Sequence, residues 1–186
     1  MTGVQTCALP ISGSGKTEVY LRVIDAVLKT GRQALLLVPE ISLTPQLEAT
    51  VRGRFPHTRV VSLHSGLNDG ERLKHWLAAQ SGSARIVLGT RLAVFAPLPD
   101  LGLIIVDEEH DASFKQSEGF RYSARDLAVV RARQRGVPVV LGSATPALET
   151  WHNAATGRYA LTQLPKRINL TPPRIHCVPT RDVRLQ

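Results

Sequence analysis

Leu103-Ile104-Ile105-Val106-Asp107-Glu108-Glu109-His110 is the stretch on which the reading of this chain turns. Apolar, mostly β-branched residues run without Gly or Pro straight into three acids and a histidine. A short run of this kind predicts a strand buried on both faces of a parallel sheet. Open α/β sheets gather ligands at the carboxyl ends of their strands, where these acids fall. One carboxylate there can hold Mg²⁺ through water, and a second can orient a water for attack on a phosphate. A solvated acidic strand end is the plainer reading of the same residues. The neighbouring segments decide between the two.

Outward from that stretch, strand and helix patterns alternate. Val19, Tyr20, Val23, Ile24, Val27 and Leu28 recur at three- and four-residue steps until Gly31, which predicts a helix. Strands are predicted over 34–38, 60–63, 85–88 and 138–141, and helices over 43–52, 69–80, 124–134 and 147–155. Asp69 and Ser123 are the expected N-caps of the two middle helices. Residues 92–95 read as a short helix or turn, 114–122 as an aromatic, charged loop, and 175–178 as a further strand. Trp76 and Trp151 are expected to pack helices. The alternation predicts an α/β fold, a mostly parallel sheet with helices on both faces.

A chain of 186 residues, 43% hydrophobic, suffices for one domain with a full core. No apolar run has the length of a membrane span, and the first residues lack the basic start and long apolar middle of a secretory signal. Cys7 and Cys177 lie far apart, and the histidines show no metal-ligand spacing, so neither a disulfide framework nor a zinc cluster is expected. Together these predict a cytoplasmic protein. The formal charge is +8, and residues 158–186 hold six basic residues against one acid. A basic balance favours a polyanionic partner such as nucleic acid. Residues 1–11 show no clear period and are read as a non-native leader, 12–157 as the domain, and 158–186 as a basic Pro/Arg-rich extension.

Gly13-Ser14-Gly15-Lys16-Thr17 ahead of the first helix is a phosphate-binding loop by its chemistry. Its glycines let backbone amides turn inward around an anion at a helix N-terminus. Lys16 can reach the β- and γ-phosphates, and the Thr17 hydroxyl can ligate Mg²⁺. The full pattern carries glycine at position 10, where this chain has Pro10. Asp107 is then the expected Mg²⁺ partner and Glu108 the base that positions water. Ser143 and Thr145, at the next strand end, carry hydroxyls that could sense the acids; a small-residue turn is the plainer reading there.

Taken in order, Gly-Ser-Gly-Lys-Thr-Glu from Gly13, Val38-Pro39-Glu40-Ile41-Ser42-Leu43-Thr44, Gly89-Thr90-Arg91, Asp107-Glu108-Glu109-His110 and Gly142-Ser143-Ala144-Thr145-Pro146 resemble superfamily 2 helicase motifs. Ala93-Val94-Phe95-Ala96-Pro97-Leu98 and Glu118-Gly119-Phe120-Arg121-Tyr122-Ser123-Ala124-Arg125-Asp126 sharpen this to the bacterial replication-restart helicases. The resemblance implies a RecA-like P-loop NTPase motor domain of an ATP-dependent DNA helicase. Such an enzyme moves 3′ to 5′ and acts in primosome assembly at stalled forks. It implies ATP and Mg²⁺ at Gly13, Ser14, Gly15, Lys16, Thr17 and Asp107, with Lys16, Asp107 and Glu108 catalytic. It implies that 39–44 and 89–91 track the DNA backbone, with Thr90 and Arg91 at the strand. Phe120, Arg121 and Tyr122 would couple DNA to the nucleotide site, and His110 would link the acids to Ser143 and Thr145. The implied partners are forked or single-stranded DNA, replication-restart proteins and single-stranded DNA-binding protein, with no membrane and a nucleoid-associated location. In that family a second motor domain supplies an arginine finger and a zinc-binding insertion. Both lie outside this chain, so the isolated chain is expected to show little ATPase and no unwinding. The alternatives are another superfamily 2 translocase and a non-catalytic DNA-binding fragment.

Overall fold

The computed structural model describes residues 4–8 and 15–164. The expected strand at 175–178, Gly13 and Ser14 lie outside the described residues. The order is β1 (Val4–Ala8), α1 (Lys16–Lys29), β2 (Gln33–Leu37), α2 (Pro45–Arg54), β3 (Val60–Leu63), α3 (Asp69–Gln80) and β4 (Ile86–Gly89). It continues through β5 (Leu101–Val106), β6 (Lys115–Gln116), β7 (Tyr122–Ser123), α4 (Ala124–Arg135), β8 (Val139–Ser143), α5 (Leu148–Ala155) and β9 (Ala160–Leu161).

The main sheet runs β3-β4-β2-β5-β8-β1-β9, and every pairing in it is parallel. The predicted α/β class therefore holds. All six residues of β5 are buried, as a strand covered on both faces requires. Successive side chains feed opposite faces. Leu35, Leu37, Ile104 and Val106 pack with Ala78 and Ala79 of α3 and with Ala124, Ala128 and Ala132 of α4. Leu36, Leu103 and Ile105 pack with Tyr20, Leu21 and Ile24 of α1 and Val51 of α2. The alanine stripe on α4 is what lets that helix approach the sheet closely. This β-strand alternation, rather than any one contact, places helices on both sides.

Several local expectations shift. The second helix starts at Pro45 because Thr44 caps it, its hydroxyl accepting from the Leu47 amide at 3.2 Å with Pro at the first turn. Asn68, not Asp69, caps α3: its side chain accepts from the Glu71 amide at 2.9 Å, and Asp69 is the first helical residue. Ser123 caps α4 as expected. The 114–122 loop contains a small antiparallel hairpin, β6 with β7. Trp76 packs on the core, whereas Trp151 is 46% exposed and does not serve as a buried helix anchor.

Candidate nucleotide and nucleic-acid site

The candidate site forms where β5 and β8 end and α1 begins. Gly15 adopts the left-handed conformation, φ 86°, which glycine adopts without steric cost, and Lys16 opens the helix. Lys16 is buried, at 9% exposure. Its Nζ lies 3.7 Å from Asp107 Oδ1 and forms a closer ion pair with Glu108 Oε1. The loop lysine and both motif acids thus face one another, across 92 residues of sequence in the case of Glu108. Thr17 is exposed in the first turn of α1.

Three acids in a row point three ways. Asp107 continues the sheet, its amide donating to the Leu37 carbonyl at 2.9 Å. Glu108 has φ 46°, a left-handed backbone that no other non-glycine among the described residues adopts. That conformation costs an L-residue about 1–2 kcal/mol. It swings Glu109 inward, where its carboxylate is buried. Glu109 accepts from the Ala147 amide at 2.7 Å and the Thr150 hydroxyl at 2.9 Å, and Arg125 Nη1 pairs with it at 3.3 Å. Burial pushes the Asp107 carboxyl above its usual range, against the opposite pull of Lys16 and of the Tyr20 hydroxyl that donates to it at 2.8 Å.

His110 sits between the acids and the β8 end. Its Nδ1 shares a hydrogen bond with the Ser143 hydroxyl at 2.7 Å and lies 3.7 Å from Glu108 Oε2. Its Nε2 shares one with the Thr145 hydroxyl at 3.2 Å. Ser143 Oγ also accepts from the Thr145 amide at 2.9 Å, which orders the turn. The residues singled out at 107–110 and 142–145 are therefore one hydrogen-bonded cluster.

The expected DNA-facing residues divide. Thr90 is buried at 3% exposure, so its side chain is interior. Arg91 Nη1 donates to the carbonyls of Ser113 and Lys115 at 3.2 and 3.1 Å, so the guanidinium braces the aromatic hairpin. Phe120 is 77% exposed, and Arg121 is exposed beside it. Tyr122 is half-buried, with Phe95 edge-on at 5.0 Å and Phe120 tilted at 5.9 Å between ring centroids. Phe120 and, at 45% exposure, Phe95 are thus presented to solvent, with the half-buried Tyr122 ring between them.

Sequence reasoning gave no role to Tyr20, Glu109, Arg125 or Phe95. Tyr20 was absorbed into the apolar face of α1. The third consecutive acid, at the end of an apolar strand, was the one available signal for a buried carboxylate and a cationic partner.

A sequence model described as DEAD/DEAH box helicase matches residues 3–154. The chain belongs to the DEAD/DEAH box helicase family. This helicase domain is 49% identical over 159 residues to replication restart protein PriA of Bacillus subtilis, covering 86% of the chain and 20% of that protein. It is 50% identical over 157 residues to the PriA of Haemophilus influenzae, covering 84% and 21%. The replication-restart resemblance read from the motifs is borne out. The domain spans about a fifth of the length of these curated relatives. Among solved structures it is similar to RecG bound to a three-way DNA junction, with TM-score 0.62, 22% identity, and coverage of 87% of this chain and 20% of that one. It is also similar to the Hef helicase domain of Pyrococcus furiosus, with TM-score 0.59, 22% identity, and coverage of 89% and 36%. At these identities the likeness establishes the RecA-like fold. Among the described residues no helix is long and apolar enough to cross a membrane.

Proposed function

We propose that this chain is the ATP-binding motor domain of a 3′-to-5′ DNA helicase of the replication-restart type, with residues 12–157 as the motor and 158–186 leading on from it. The observation that carries the reading is the buried Lys16 ammonium held against Asp107 and Glu108 at the start of α1. The donor set fits a nucleotide with its metal. A helix N-terminus and an ammonium suit phosphate oxygens, and a carboxylate suits a hard cation. When bound, Mg²⁺–ATP supplies the phosphoanhydride bond and the divalent charge.

Each residue then has a defined task. The Lys16 Nζ, now shared between two carboxylates, binds the phosphates. The Thr17 hydroxyl and Asp107 would hold the cation. Glu108 orients water and takes up its proton at a carboxylate oxygen. His110, bonded to both Ser143 and Thr145, carries the state of Glu108 to the end of β8.

Forked or single-stranded DNA is the proposed partner. The basic balance, the exposed Phe120 and Arg121, and the junction bound by the RecG structure support this. An exposed ring stacks on bases of any sequence. Arg91 serves the DNA side indirectly, by bracing the hairpin that carries Phe120. Replication-restart proteins, single-stranded DNA-binding protein and a nucleoid-associated cytoplasmic setting belong to the same proposal, supported by the PriA relatives.

The test is equilibrium binding of a fluorescent ATP analogue with Mg²⁺ to the 186-residue chain and to Lys16→Ala, joined to single-stranded DNA affinity measured against salt with and without nucleotide. Expected are saturable binding lost in Lys16→Ala and a nucleotide-dependent DNA affinity. Equal nucleotide binding by both proteins, or a salt curve indifferent to nucleotide, overturns the motor reading; the second result would leave a passive DNA binder.

A further inference from the structure

We propose that Tyr20 is a positioning residue whose hydroxyl orients the Asp107 carboxylate, and that Gly142 is the notch in the intervening strand that admits it. The inference rests on the nucleotide reading above and adds residues that the motifs do not include. Tyr20 lies four residues beyond Lys16, on the same side of α1, and is buried at 3% exposure. Its hydroxyl donates to Asp107 Oδ1 at 2.8 Å. The same oxygen accepts from the Glu108 amide at 3.0 Å, and Lys16 Nζ lies 3.7 Å from it. The Tyr20 hydroxyl and the Glu108 amide thus converge on one oxygen, Oδ1, and together fix the orientation of the carboxylate.

The strand β8 runs between β5 and β1, directly under this contact. A Cβ built on Gly142 would stand 1.7 Å from the Tyr20 hydroxyl and 2.9 Å from its ring carbon Cζ. A side chain at position 142 would force this phenol or the strand to shift. The Gly142 carbonyl also accepts from the Glu109 amide at 3.0 Å, so the notch is anchored to the acid run on its other side. One phenol therefore ties together the lysine-bearing helix, the end of β5 and the end of β8. A phenylalanine would fill the apolar volume equally well. What the hydroxyl adds is a donor aimed at a half-buried carboxylate, and a buried donor of that kind needs its acceptor.

Two measurements on the full 186-residue chain test this. The first is nucleotide-free thermal melting of Tyr20→Phe, Gly142→Ala and the double variant. Gly142→Ala is expected to melt well below the parent, and adding Tyr20→Phe is expected to restore part of the loss, since the hydroxyl is the nearest clashing atom. Strictly additive losses overturn the notch. The second is the Mg²⁺ midpoint for binding a fluorescent ATP analogue. In Tyr20→Phe the midpoint is expected to rise about tenfold, the loss of one hydrogen bond to a charged group, while metal-free nucleotide affinity falls far less. Equal Mg²⁺ midpoints overturn the positioning role. A parent chain that binds no nucleotide overturns it too, together with the motor reading. Coupled melts in that case would leave Tyr20 as a structural lock alone, so the two failures are told apart.

Discussion

Replacing Glu109 by alanine tests how the site is held in place. The carboxylate is nearly inaccessible, with 1% side-chain exposure, and its Arg125 partner has 11%. Truncation would leave the Arg125 Nη1, the Ala147 amide and the Thr150 hydroxyl facing a void. Breaking a buried pair by removing one partner costs about 3–5 kcal/mol, most of it from the charge left behind. Arg125 also pairs with Asp126 at 2.8 Å and lies 3.7 Å from Glu149, and these place the cost toward the lower end. For a domain of this size each kcal/mol lowers the melting temperature by about 2–4 °C. The expected fall is therefore on the order of 10 °C. Glu109→Gln keeps the shape and can still accept from Ala147, so it should lose about 1–2 kcal/mol. Urea and thermal unfolding followed by circular dichroism measure both. A Glu109→Ala protein within about 1 kcal/mol of the parent would falsify the claim that this carboxylate pins α4 and α5 to the acid run.

Two further outcomes follow from the same geometry. Asp107 binds its proton more tightly folded than unfolded, because burial outweighs Lys16 and Tyr20. Its ionisation therefore costs stability as pH rises through the folded value, and the penalty vanishes below about pH 4, where both states are protonated. Asp107→Asn should melt above the parent at pH 7, with the gap closing toward acid; a lower melt at pH 7 refutes the sign. Phe120→Ala should leave stability within about 0.5 kcal/mol, as expected for an exposed ring. It should weaken single-stranded DNA binding by about tenfold at fixed salt, and unchanged affinity would exclude this ring from the DNA surface.

The parts legible from sequence were those written in local periodicity and in ordered motifs. The apolar run 103–106 announced a strand covered on both faces, which the structure extends to 101–106, and its acids announced a ligand end. Ser123 was recognisable as a cap because its hydroxyl needs only the amide three residues on. Asn68 was missed because Asp69, beside it, has the same capping chemistry, and only the extended backbone at 68 separates them. Arg91 read as a phosphate contact, since a guanidinium after Gly-Thr is equally suited to carbonyls; what distinguishes the two is the hairpin folded against it.

The amino-acid order alone thus determined the parallel α/β class, the ends at which chemistry gathers, and the helicase family, because hydrophobic period and motif spacing are properties of neighbouring residues. Which of three consecutive acids faces the lysine, which turns inward to Arg125, and which glycine makes room for a tyrosine are decided by tertiary structure. Those choices depend on a left-handed backbone at Glu108 and on strands brought side by side from distant parts of the chain, and neither leaves a local mark in the sequence.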